Sequence, residues 1–142
     1  TLVGPRAVLR RVKNELSVRQ DMQLLEACSG DFGNLTFEMI VQFALDGNVI
    51  CREAMEDVAV NLGVGIADLV NIFNPQMVVI GGAFIAGKDI LHSIIEKTIV
   101  SNALQPSVEN LQIKFSERNT EACVLGAVAV VLDDILRELA IN

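Results

Sequence analysis

Gly81 and Gly82 directly follow the apolar run Met77-Val78-Val79-Ile80. Glycine lets a backbone come close to a bound molecule because no Cβ intervenes. In parallel α/β sheets, ligands bind outside the carboxyl ends of the strands. Gly81-Gly82 is therefore the first place to expect small-molecule contact. The competing reading is a tight strand-to-helix turn with no ligand. No G-x-x-x-x-G-K-[ST] pattern is present, so this is not a Walker phosphate loop. His92 is the single histidine. Of the carboxylates, Glu96, four residues on, shares its helix face, and a metal site needs more ligands than that pair. His92 is read as an exposed or half-buried helix residue. No Ser or Cys nucleophile accompanies it in a motif, so no triad is legible. Cys28, Cys51 and Cys123 lie far apart without a C-x-x-C, which points to buried free thiols rather than a zinc knuckle or a disulfide framework.

The elements that hold these residues are legible around Leu62–Phe84. Leu62, Ile66, Leu69, Val70 and Phe73 recur at helical intervals. Asn74-Pro75 stops that helix, since proline disfavours a helical residue before it and donates no N–H. Met77 to Ile80 runs apolar without alternation, the pattern of a strand covered on both faces. Helix, short loop, buried strand and glycine turn form the grammar of a parallel α/β sheet.

Upstream, a helix is expected over Thr1–Leu16, with Pro5 in its first turn and Val8, Val12 and Leu16 on one face. Arg6, Arg10, Arg11, Lys13 and Arg19 form the one basic patch. With Glu15, Asp21 and Glu26 close by, it reads as a solvated face rather than a phosphate grip. A short helix is expected over Met22–Cys28 and a loop over 29–34. Thr36 should cap a helix through Asp46 that ends at Gly47. The longest helix should run from Asn48 to Phe73, burying Met55, Val58, Leu62, Ile66, Leu69 and Phe73. Inside it, Gly63 and Gly65 each cost about 1 kcal/mol relative to Ala. That cost predicts close approach of a neighbouring element, with ligand contact as the second reading.

Downstream, Ala86-Gly87 leads into a helix over Lys88–Ala103, with Ile90, Leu91, Ile94, Ile95 and Thr98 inward. Gln105-Pro106-Ser107 reads as a loop. Leu111, Ile113 and Phe115 alternate with polar residues, giving a half-exposed strand near a sheet edge. Glu121–Ala140 reads as a final helix, apolar nearly all round from Ala122 to Leu132. That run is too short to span a bilayer. So apolar a helix needs a cover: the sheet, a second domain, or another copy of the chain.

The 142 residues are 51% hydrophobic, enough for one domain with a real core, read as residues 1–142. The net charge of −7 argues against this segment itself gripping nucleic acid. No Trp or Tyr offers a stacking platform. The sequence shows no signal peptide, and its first residue, Thr1, suggests a fragment or a processed chain.

Three stretches carry a family resemblance that covers nearly the whole chain. LGVGIADLVNIFNPQMVVIGGAF (Leu62–Phe84) resembles the C-terminal half of the ROK family (repressors, open reading frames and sugar kinases). The segment from Thr36 through Gly47 to Leu62 resembles the helix pair before it. EACVLGAVAVVLDDIL (Glu121–Leu136) resembles the family's last helix. The resemblance implies an α/β fragment of an actin- or hexokinase-like (ribonuclease H-like) ATPase lobe, with helices on a small, mainly parallel sheet. It also implies that the family's zinc motif, with its sugar-binding glutamate, and its N-terminal lobe belong upstream of Thr1. No catalytic residue and no metal ligand are then expected in this piece. In the family's kinases the glycines at this strand end lie against the adenosine of ATP, so Gly81, Gly82 and Ala83 would be nucleotide-binding in a kinase. Many kinases have a third glycine where this chain has Ala83. The family's repressors bind a sugar effector and carry a DNA-binding winged helix upstream. NIFNP and VLDDIL are closer in wording to the repressors. The expected partners are a sugar, DNA through an upstream domain, and a second copy of the chain, with cytoplasmic localisation and no membrane.

Overall fold

The computed structural model describes residues 3–116. α1 (Pro5–Leu16) begins at the proline rather than at the expected Thr1, and Ala7, Val8, Val12 and Leu16 are its buried side chains. α2 spans Met22–Ala27 and α3 Phe37–Leu45. α4, Val49–Phe73, is the spine. The starts of α2, α3 and α4 are set by side chains that accept otherwise unpaired first-turn amides. Thr36 Oγ1 accepts from the Met39 amide at 3.2 Å. Asn48 Oδ1 accepts from the Cys51 amide at 3.0 Å, and its Nδ2 donates to Asp21 Oδ2 at 2.7 Å. Asp21 in turn caps α2 through the Leu24 amide at 3.0 Å. One hydrogen-bond chain therefore fixes the starts of two helices.

The expected 29–34 loop contains a 3-10 turn, Phe32–Asn34, because Asp31 Oδ1 accepts from the Gly33 amide and tightens the chain there. α4 stops at Asn74, which takes the left-handed conformation (φ 46°) and donates its amide to the Val70 carbonyl at 2.9 Å. β1 is Met77–Ile80, α5 Lys88–Asn102, α6 Gln105–Val108 and β2 Gln112–Phe115. α6 replaces the expected 105–107 loop, since Pro106 falls in a first helical turn and needs no amide partner there. β1 and β2 pair in parallel, Met77 with Gln112 through Ile80 with Phe115. The crossover between them carries α5, as a parallel pair requires.

The core lies between α1, α3, α4 and α5, where Val8, Val12, Ile40, Met55, Val70, Leu91, Ile95 and Ile99 are closed to solvent. Ile99 belongs to this set although the spacing had put Thr98 there, and Thr98 is only partly buried. Gly63 is where α4 and α5 touch: a Cβ on it would stand 2.6 Å from Thr98 Cβ. At Gly65 no such neighbour stands among the described residues: a Cβ there would meet none of them within 4 Å.

Two burial expectations also fail. Leu69 and Phe73 are 53% and 72% exposed, because α5 covers the middle of α4 and not that flank of its end. Among the described residues, β1 is covered on one face only. Val78 and Ile80 face the helices, whereas Met77 and Val79 are 44% and 59% exposed, because the described helices pack on one side of the two described strands. β2 alternates as expected, with Gln112 and Lys114 exposed.

Two cations of the basic patch, Arg11 of α1 and Arg19 just beyond it, are paired and solvated. Arg11 forms an ion pair with Asp57, and Arg19 reaches Glu53 at 3.3 Å. All four side chains are largely exposed, so each pair contributes at most about 1 kcal/mol. Cys28 and Cys51 are buried free thiols, as read; Cys123 and the Glu121–Ala140 helix lie outside the described residues. Among the described residues, no helix is long and apolar enough to cross a membrane.

Candidate site at the carboxyl ends of the parallel strands

β1 and β2 end side by side, tied by the Ser116 amide donating to the Ile80 carbonyl at 2.8 Å. The chain then turns at Gly81. Gly81 is extended (φ −127°), so its backbone is open to any residue. Gly82 is not: φ is +71°, in the region where a side chain is strained. Residues Gly82–Gly87 form a 3-10 turn that delivers the chain to the first turn of α5. Gly81, Gly82 and Ala83 are all exposed. A Cβ on Gly81 would have Ser116 Cβ as its neighbour at 3.8 Å, and one on Gly82 would meet nothing within 4 Å. Among the described residues, these backbones face open space rather than packing.

The far side of the turn is anchored. The Phe84 ring meets Phe37 of α3 edge-on, with centroids 6.2 Å apart. At Gly87 the backbone lies so close to α4 that a Cβ would stand 2.5 Å from Met55 Cε. One face of the turn is thus bound into the core and the other is free.

Beside the turn, a shallow cleft of about 350 Å³ is lined by Lys88, Asp89, His92, Ser93 and Phe115. His92 is exposed, and its ring stands 5.7 Å from that of Phe115, tilted by 51°. Spacing along the sequence put His92 on the right helix surface without revealing this cleft. The missed signal was Phe115, the last apolar residue of the alternating strand, which marks where β2 delivers a ring to the sheet's carboxyl end. The cleft offers an ammonium, a carboxylate, an imidazole and a hydroxyl around an aromatic edge. These groups suit binding by hydrogen bonds and stacking; no nucleophile and base are paired among them.

Among the described residues, no three of His, Cys, Asp and Glu come together as a metal-ligand set. The shifted thiols lie in the core, away from this cleft. Burial pushes Cys51 from an ordinary 9.0 up to about 12, and the charge of Asp21 adds to the effect. Burial likewise raises Cys28, with Asp31 contributing. Both stay protonated near neutral pH and behave as small apolar side chains.

The model of the ROK family matches residues 6–134. The chain belongs to that family. It is similar to the xylose repressor of Caldicellulosiruptor bescii, with 36% identity over 102 residues, which are 72% of this chain and 26% of that protein. It is also similar to the DNA-binding transcriptional dual regulator NagC of Escherichia coli, with 31% identity over 132 residues, 92% of this chain and 30% of NagC. The chain therefore spans less than a third of the length of either relative. Among solved structures, a ROK family transcriptional regulator, a homologue of the E. coli Mlc protein, superposes with a TM-score of 0.71 at 24% identity, over 81% of this chain and 28% of that one. A ROK family glucokinase from Streptomyces griseus, solved with glucose and AMPPNP, superposes with a TM-score of 0.74 at 19% identity, over 90% and 42%. Regulators and kinases thus share this fold.

Proposed function

We propose that the chain is the C-terminal effector and dimerisation domain of a sugar-responsive transcriptional repressor of the ROK family. The observation that carries this reading is the match to NagC across 92% of the chain, together with the higher identity to a xylose repressor. Ala83 supports it: a methyl group stands where many of the family's kinases have a glycine beside adenosine. In this reading the fragment holds no cofactor, zinc belongs to an upstream motif, and DNA is gripped by an upstream domain. The acidic balance of this segment, −7 in 142 residues, fits that division of labour. The protein works in the cytoplasm as a homo-oligomer.

Repression that answers to a sugar is a coupling free energy between two sites, typically about 1–3 kcal/mol, or about 5–150-fold in affinity. The test is fluorescence anisotropy of operator DNA with the full-length gene product that contains this chain. Xylose, glucose and N-acetylglucosamine are titrated in turn. One sugar is expected to weaken DNA binding by at least about fivefold. DNA affinity that no sugar changes, or a full-length product that binds no DNA, contradicts the reading.

The open face of the Gly81–Ala83 turn favours a second reading, a C-terminal fragment of an ATP-dependent sugar kinase of the glucokinase type. Gly81, Gly82 and Ala83 would then line the adenosine pocket, with the catalytic base upstream. Among the described residues, nothing lies within 4 Å of a Cβ built at Gly82, which is compatible with this reading. Catalysis of that kind rests on positioning and electrostatics supplied largely by the other lobe.

A further inference from the structure

A second cleft lies away from the strand ends, where α1 gives way to α2. It holds about 300 Å³, the lower end of the range for small-molecule sites. Its walls are apolar: Leu16 from the end of α1, Met22 and Leu25 from α2, and Phe32 from the 3-10 turn. Asp21 is the one charged residue among the described residues that line it. Its half-buried carboxylate is held in place, since Oδ1 accepts from the Leu24 amide at 3.0 Å and Oδ2 from Asn48 Nδ2 at 2.7 Å. Both donors are neutral, so the negative charge stays. A carboxylate has about four lone-pair sites, and these bonds use two of them. Among the described residues, none of the ion pairs takes Asp21 as its partner. Arg19, the nearest cation along the chain, is drawn away to Glu53 at 3.3 Å and Glu15 at 3.7 Å.

We propose that this cleft binds a small primary amine in its ammonium form, carried on a short alkyl or aryl body. The body lies against Leu16, Met22 and Leu25, and the ammonium donates to the remaining lone pairs of Asp21. Phe32 supplies an aromatic ring, which attracts a cation placed over it. The other ligand classes fit less well. An anion would meet the like charge of Asp21, with no Lys or Arg on the lining to offset it. A neutral polyol would set its hydroxyls against walls that return no hydrogen bonds. Partial burial lets Asp21 act through a lower effective dielectric than a fully solvated acid would. The net charge of −7 draws cations toward the chain. This goes beyond the proposed function, whose candidate sugars are uncharged, and stands whether the protein is a regulator or a kinase.

The test is methyl NMR of the full-length gene product labelled with ¹³C at the methionine methyl groups. Benzylammonium chloride is titrated at neutral pH against benzyl alcohol, its uncharged counterpart. The Met22 signal, assigned by its loss in Met22→Leu, reports on the cleft, and those of Met39, Met55 and Met77 report on other regions. The expected result is a Met22 shift that saturates with benzylammonium at least about tenfold more tightly than with benzyl alcohol, as for a charge-assisted hydrogen bond. Asp21→Asn keeps a good helix cap and should remove that preference. Gln20→Lys sets a cation at an exposed position of the same lining and should weaken benzylammonium about threefold while sparing benzyl alcohol. The two variants are independent, so a failure of one to fold does not decide the outcome. Equal binding of the two compounds overturns the proposal and leaves an apolar cleft that does not read charge. A Met22 signal that does not saturate overturns it, as does a preference for the ammonium that survives the substitutions.

Discussion

Gly63 and Gly82 are both glycines beside the αβα unit, and they are there for opposite reasons. At Gly63 the backbone conformation is ordinary and the space is full: a Cβ would meet Thr98 Cβ at 2.6 Å and the Ile95 carbonyl at 3.2 Å. At Gly82 the backbone is special, with φ +71°, and among the described residues nothing lies within 4 Å of a Cβ. One glycine lets two helices close on each other. The other turns the chain at the strand end and leaves its surface open. The core side of this unit is specified by contact, and the site side by conformation.

Substitutions can break this comparison. Gly63→Ala should have the largest effect. Overpacking against a β-branched side chain and a carbonyl costs about 3 kcal/mol, offset by about 1 kcal/mol of helix propensity. The net loss of about 2 kcal/mol is read as a lower urea midpoint. Gly82→Ala should cost about 1–2 kcal/mol through left-handed strain alone, with the methyl resonances of the core unchanged in the NMR spectrum. Gly87→Ala should cost about 1 kcal/mol, at the low end for overpacking, because its obstacle is the mobile end of Met55. Gly65→Ala should stabilise by up to about 1 kcal/mol, since its space is empty and only propensity changes. Gly81→Ala should be smallest, within about 0.5 kcal/mol, as its φ suits any residue and its nearest neighbour is 3.8 Å away. Equal losses at Gly63 and Gly65, or a large loss at Gly81, would show the division between packing and open site to be wrong.

The contrast also separates what could be read from the sequence. Helix starts at Thr36 and Asn48 and the stop at Asn74-Pro75 were legible because the signals are local: a side chain caps its own first turn, and a proline restricts its own neighbour. The alternation of β2 was legible for the same reason. The second face of β1 was not. An apolar run reports that a strand wants cover, and the cover itself comes from elsewhere in the chain. Leu69 and Phe73 fail likewise, because periodicity marks a stripe without saying how far along it the neighbouring helix extends. Gly63 and Gly65 look alike in sequence, and only the position of Thr98 tells them apart. The cleft was half legible. His92 could be placed on a surface, but its meeting with Phe115 depends on strand register across 23 residues.

The central claim is that this fold serves a regulator that senses a sugar and does not phosphorylate it. The most direct measurement is ADP release by the full-length gene product, with ATP and each candidate sugar in excess, followed through a coupled enzyme assay. The account predicts no sugar-dependent ADP release, and none gained by Ala83→Gly. Sustained, sugar-dependent turnover in the wild-type protein would contradict it and make Gly81, Gly82 and Ala83 the adenosine wall of a kinase.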